Sequence, residues 1–200
     1  MANGGTFDVA IIYFSGFGHT EKVAQLVKEG LEESPDVSVR LLKADEIAGD
    51  LSVLDDADAL VFGSPTYMGG PAASWKQFAD ASSELWFEMR WRDKLAAGFT
   101  NASGLSGDQL STLQYFVTLA MQHGMVWVGL GELPPMAEEG HGADPGDVNR
   151  LSSFTGLMTQ SDNADPAKTP APGDVETAKI FGRRVASAVR RWGKSGSGGG

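Results

Sequence analysis

Residues 7–20 read Phe7-Asp8-Val9-Ala10-Ile11-Ile12-Tyr13-Phe14-Ser15-Gly16-Phe17-Gly18-His19-Thr20. The first eight are a nearly unbroken β-branched and aromatic run, the pattern of a parallel strand covered on both faces. Ser15 to Thr20 turns the chain. Val23, Leu26, Val27 and Leu31 then recur at helical spacing, so one face of the next segment is apolar. A buried strand, a Gly-rich turn and an amphipathic helix begin a βαβ unit.

The same alternation continues outward. Further strands are expected at Val37 to Leu42, Ala59 to Gly63, Leu95 to Thr100 and Met125 to Leu130. Helical stripes are expected on Trp75, Phe78 and Ala79, then on Leu110, Leu113, Phe116, Val117 and Ala120. The last and clearest stripe is Ala178, Phe181, Val185, Ala188, Val189 and Trp192, while Ala44 to Leu54 carries a weaker helical signal. This predicts an α/β three-layer fold, a five-stranded parallel sheet with helices on both faces. Right-handed crossovers and a central, most apolar first strand give the order 2-1-3-4-5. In such sheets ligands sit beyond the carboxyl ends of the strands, where the order reverses. Residues 1–192 read as one domain and 193–200 as a flexible Gly/Ser tail. Gly131 to Gly173 holds most of the nine prolines and reads as one long irregular stretch.

Composition narrows the function. Sixteen Lys+Arg against 26 Asp+Glu give 16 − 26 = −10 over 200 residues, and 42% of residues are hydrophobic. That apolar share excludes disorder as the main state. The absence of cysteine removes disulfide scaffolds, iron–sulfur clusters and thiol catalysis. Three scattered histidines give no reason to expect a metal site, and His141 is assigned no role. An acidic chain without a basic cluster lacks the Lys and Arg that nucleic acid requires. Its charge favours solubility and a basic redox partner. Met1 to Gly5 has neither the basic nor the apolar part of a signal peptide. Gln109 to Gly131 carries no charge, but its Gln, Ser, Thr and His content is costly in lipid. It reads as a buried helix followed by a strand, with no membrane insertion and a cytoplasmic protein expected.

Three post-strand loops can carry chemistry. In the first, Gly16 and Gly18 let amide N–H groups point inward, Ser15 and Thr20 add hydroxyls, and the helix N-terminus adds partial positive charge. That composition makes a phosphate nest from neutral donors. The alternative is a plain strand-to-helix turn capped by Ser15 or Thr20. No Walker A loop is present, and Glu21 stands where the dinucleotide fingerprint needs its third glycine. The second loop is Ser64-Pro65-Thr66-Tyr67-Met68-Gly69-Gly70-Pro71. Its glycines allow close backbone approach, and Tyr67 and Met68 suit the face of a flat ring or simply cover the core. The third, Thr100-Asn101-Ala102-Ser103-Gly104-Leu105-Ser106-Gly107, offers amides and hydroxyls to a ring edge. A phosphorylated planar cofactor satisfies all three.

The stretches Tyr13 to Thr20, Phe62 to Asp80, Leu85-Trp86 and His123-Gly124-Met125-Val126 resemble the flavodoxin-like FMN proteins, and more narrowly the WrbA group of NAD(P)H:quinone oxidoreductases. Flavodoxin itself has the strand order given above. The resemblance implies FMN, with Ser15 to Thr20 (Ser15, Gly16, Phe17, Gly18, His19, Thr20) on its phosphate. It places Pro65, Thr66, Tyr67, Met68 and Gly69 beside the isoalloxazine, and Asn101, Ala102, Ser103, Gly104 and Ser106 on the pyrimidine edge. Trp86 and His123 match residues lining the flavin and quinone site, and Phe17 stands where an aromatic meets the nicotinamide nucleotide. Without the resemblance, His123 followed by Gly124 is an ordinary helix terminus. The family usually has Arg-Phe where this chain has Tyr67-Met68. The implied activity is two-electron transfer from NAD(P)H through FMN to a quinone, in a homo-oligomer that is a tetramer or dimer. The alternatives are a flavodoxin-type single-electron carrier and a scaffold that has lost FMN.

Overall fold

Residue parity along each central strand decides which helical layer it meets. In the computed structural model, which describes residues 6–136 and 143–196, β1 (Phe7–Tyr13) sends Val9, Ile11 and Tyr13 to one face and Ala10 and Ile12 to the other. The first set packs with Val23, Val27 and Leu31 of α1 (His19–Glu32) and with Ala178, Phe181 and Val185 of α6 (Pro172–Gly196). The second packs under α2 (Ala44–Ile47), α3 (Ala73–Ala81) and α5 (Gln109–Gln122). Both faces are dry, as expected for a strand with no polar alternation.

The remaining strands are β2 (Val37–Lys43), β3 (Ala59–Tyr67), β4 (Gly70–Pro71), β5 (Leu95–Ala102), β6 (Val126–Trp127) and β7 (Leu157–Gln160). The short α4 (Ser83–Phe87) follows α3, and Leu51–Leu54 and Pro166–Lys168 form 3₁₀ turns. The sheet order β2-β1-β3-β5-β6 reproduces the predicted order for the five principal strands, all paired in parallel. Among the described residues, no helix is long and apolar enough to cross a membrane.

Four expectations need correction. The fifth strand does not run unbroken from Met125 to Leu130. Val126 and Trp127 pair with Leu95 and Ala96, the chain then leaves, and β7 returns to pair with Phe99 to Ala102. Two short pieces therefore share one edge position, and Gly131 to Gly173 contains a strand and a 3₁₀ turn as well as irregular chain. The second loop is mostly strand. β3 runs on to Tyr67, and Met68 (φ 49°) and Gly69 (φ 80°) make the two-residue turn into β4, the mirror-image turn that matches strand twist. Leu110 is exposed, because Gln109 and Thr112 take the inward positions at that end of α5. Finally, α6 continues through Gly196, past the boundary at Trp192. Residues 197–200, His141 and Met1 to Gly5 lie outside the described residues.

Candidate functional site

The carboxyl ends of β1, β3, β5 and β7 open onto a cleft of about 290 Å³. At its base, the Gly18 amide donates to Ser15 Oγ at 3.1 Å, and Gly18 adopts φ 87° as the residue before α1. Such a φ is strained for any residue with a Cβ. Lys22 is the first helical donor, to the Gly18 carbonyl at 3.0 Å. The amides of His19, Thr20 and Glu21 thus precede the helical ladder and keep their N–H groups for another acceptor. Thr20 is buried at this point yet lines the cleft.

The walls hold polar groups in fixed order. Thr100 Oγ1 donates to the Ser64 carbonyl at 2.8 Å. Its oxygen is therefore the acceptor for Thr66 Oγ1, 2.8 Å away, and Thr66 in turn accepts from Thr112 Oγ1 at 2.8 Å. The chain of hydroxyls consumes every proton it has, which holds Thr66 still where it lines the cleft. Asn101 accepts from Thr159 and Ser161. Gln160 Nε2 donates to the Ser103 carbonyl at 3.1 Å, and Arg150 links Gln160 to Asp174 in the first turn of α6. Burial raises the Asp174 carboxyl above its ordinary range, against the pull of Arg150. His19 Nε2 lies 2.8 Å from the Ala164 carbonyl, and a Cβ on Gly18 would come within 3.0 Å of Pro166. The segment after β7 thus closes over the first loop.

Twelve of the anticipated residues line this one cleft: Ser15, Gly16, Phe17, His19, Thr20, Pro65, Thr66, Tyr67, Asn101, Ala102, Ser103 and Gly104. Gly18, Met68, Gly69 and Ser106 do not line it. Gly18 and Gly69 shape turns, Met68 projects fully into solvent, and the Ser106 carbonyl caps the start of α5 through Gln109 N–H at 2.9 Å. Asp108, Ser161 and Asn163 also line the cleft and were not anticipated. Ser161 and Asn163 follow a strand of only four residues, too short to stand out among the flanking prolines. No Lys or Arg lines the cleft among the described residues.

His123 and Trp86 stand elsewhere. α5 begins at the cleft rim and His123 follows its last residue, roughly 20 Å away at 1.5 Å per residue. His123 and Trp86 instead line a separate hollow of about 170 Å³ with Ser82, Leu119 and Gln122. His123 is buried, its ring is 4.2 Å from that of Trp91, and its Nε2 lies 3.0 Å from Ser82 Oγ. The Ser82 hydroxyl donates to the Ala79 carbonyl at 2.7 Å, so Nε2–H of a neutral imidazole is the donor. Within one chain, these two residues stand at the far end of α5, outside the cleft.

Burial pushes the His123 pKa down to about 4. Because the folded value lies below the unfolded one, the unfolded chain binds the extra proton between about pH 6.5 and 4. Stability is therefore complete above that window and is lost as pH falls through it. Between pH 7 and 5 this residue should cost about 2 kcal/mol. Urea melts of wild type and His123→Gln at both pH values should differ by that amount, and equal pH dependence in the two proteins would refute the assignment.

Residues 45–134 match the family described as NADPH-dependent FMN reductase. A flavodoxin of Pseudomonas aeruginosa, FldP, is 41% identical over 182 residues, covering 88% of this chain and 93% of its own. The crystal structure of the flavodoxin, WrbA-like protein from Agrobacterium tumefaciens superimposes with TM-score 0.71 at 39% identity, over 93% of this chain and 99% of that one. The chain belongs to the flavodoxin-like FMN protein family, WrbA type. An NAD(P)H dehydrogenase (quinone) of Solidesulfovibrio magneticus is 28% identical over 210 residues, covering 92% of this chain and 98% of its own. Membership places the chain among FMN-dependent oxidoreductases and flavodoxins.

Proposed function

We propose that the cleft binds FMN and that the protein passes two electrons from NAD(P)H to a quinone-type acceptor. One observation carries the reading. Uncharged donors at the N-terminus of α1 converge on the same 290 Å³ cleft as the polar ends of β3 and β5, a combination that suits a phosphate joined to a flat ring. FMN, when bound, supplies the hydride and electron chemistry. The protein's part is binding and orientation. Ser15, Thr20 and the first amides of α1 hold the phosphate, and the fixed hydroxyls around Thr66 and the strand end at Asn101 set the ring. Tyr67 bounds one side, with its hydroxyl only 2.7 Å from where a Cβ on Gly16 would lie. Phe17 lines the cleft and is exposed at its mouth, where a nicotinamide or quinone ring would approach. Exposed Trp86, Phe87 and Met121 suit burial in a homo-oligomer, tetramer or dimer.

The 41% relative named a flavodoxin favours a second reading, a single-electron carrier. Purified protein should take up one FMN and turn yellow. It should then oxidise NADH or NADPH steadily with benzoquinone present, whereas a carrier takes up FMN but turns over poorly. No FMN uptake overturns both readings.

A further inference from the structure

The strand that the sequence concealed also fixes a polar group in the cleft. Asn101 lines the cleft and is otherwise buried, and its Oδ1 accepts from Thr159 Oγ1 at 2.8 Å and Ser161 Oγ at 2.9 Å. Turning the amide over would put Nδ2 against both hydroxyls. Ser161, itself buried, would then have no acceptor for its proton among the described residues. Leaving a buried polar group unpaired is costly, so the amide is held in one sense. Nδ2 has no partner among the described residues and is the group left to face a ligand. Thr159 is fully buried and does not line the cleft. Its hydroxyl also reaches the Thr100 carbonyl, at 3.4 Å, but its shorter bond is the one to Asn101 at 2.8 Å.

We propose that Thr159 and Ser161 are positioning residues that fix Asn101 as a hydrogen-bond donor to a carbonyl or ring nitrogen on the edge of the bound flavin. The inference rests on the FMN reading above and assigns the polarity of one edge of that site. A hydrogen bond strengthens as its acceptor gains charge. The donor therefore favours the electron-rich reduced cofactor over the oxidised one.

The experiment titrates FMN into wild type, Thr159→Val, Thr159→Ser, Asn101→Ala and the Asn101→Ala/Thr159→Val double variant. It follows quenching of flavin fluorescence and the midpoint potential of the bound FMN. Thr159→Val is expected to weaken oxidised FMN by roughly fivefold and reduced FMN by more, so the potential moves negative. Thr159→Ser restores both. In the Asn101→Ala background the valine changes neither, because its route to the ligand is gone. Thr159→Ala, read in the same two backgrounds, provides the second test if Thr159→Val folds poorly. Wild-type affinity and potential in both single variants would overturn the inference, as would an equal loss in the Asn101→Ala background. In either case FMN uptake by wild type leaves the reading of the cleft standing. Wild type that binds no FMN removes that reading and this inference with it.

Discussion

Thr20→Asp should abolish useful FMN binding while leaving the fold intact or slightly firmer. Thr20 is the second residue of α1, lines the cleft, and adjoins the amides that precede the helical ladder. An aspartate there sits at the positive end of the helix dipole, which favours the ligand-free protein by about 0.3–1 kcal/mol. A phosphate ester in the same cradle would meet that carboxylate at close range. At roughly 4 Å and an effective dielectric near 20, like charges repel by about 4 kcal/mol, which is on the order of a thousandfold in Kd. Thr20→Asn changes shape similarly without the charge and should cost far less. Riboflavin, which has no phosphate, should bind wild type and Thr20→Asp with similar affinity. Fluorescence titrations with both flavins, beside a thermal melt of each ligand-free variant, check all three statements. Equal losses for FMN and riboflavin would place the phosphate elsewhere.

The cradle and the sheet were legible because their signals are local. Val9 to Phe14 is apolar at both parities, the pattern of a strand inside a parallel sheet with two helical layers. Val23, Val27 and Leu31 share a stripe that the structure buries completely, and the glycines and hydroxyls from Ser15 to Thr20 need no distant partner to bend as they do. The loops that line the cleft followed from the strands that end there.

What stayed hidden depends on distant contacts. β7 has only Leu157 to Gln160 to announce it, and it becomes a strand because β6 leaves the upper half of β5 uncovered. Its neighbours Ser161 and Asn163 inherit their place at the cleft from that pairing. Leu110 suited an apolar stripe, but Thr112 is turned inward by its bond to Thr66 and displaces the stripe from that end of α5. His123 marks a limit of another kind. Its helix-terminal position was readable from Gly124, and a neutral, buried imidazole bonded to Ser82 follows from tertiary packing that no motif encodes.

Gly30→Ala should destabilise the protein by roughly 3–5 kcal/mol, with a melting temperature lower by about 10 °C. The sign runs against helix propensity, since alanine in an open helix interior gains about 1 kcal/mol over glycine. Gly30 lies within α1 where α6 crosses it, and a Cβ there would stand 2.1 Å from the Lys179 carbonyl oxygen. The reciprocal contact is as close, for a Cβ on Gly182 would lie 2.2 Å from the Val27 carbonyl oxygen. Both obstacles are backbone, so no side-chain rotation relieves them, and the two helices must separate. Separation opens the layer in which Val23, Val27 and Leu31 pack with Ala178, Phe181 and Val185. Once the helices have parted for one methyl group, a second at Gly182 meets less resistance. The Gly30→Ala/Gly182→Ala pair should therefore lose clearly less than the sum of the two single losses. Gly49→Ala is the control, because nothing lies within 4 Å of its Cβ position, and it should stay within about 0.5 kcal/mol of wild type. Urea and thermal melts of the four variants test the crossing, and a neutral Gly30→Ala would refute it. The same substitution reaches the cleft, since tilting α1 moves the amides of His19 and Thr20 off their target. FMN affinity should fall with stability in Gly30→Ala and remain at the wild-type value in Gly49→Ala.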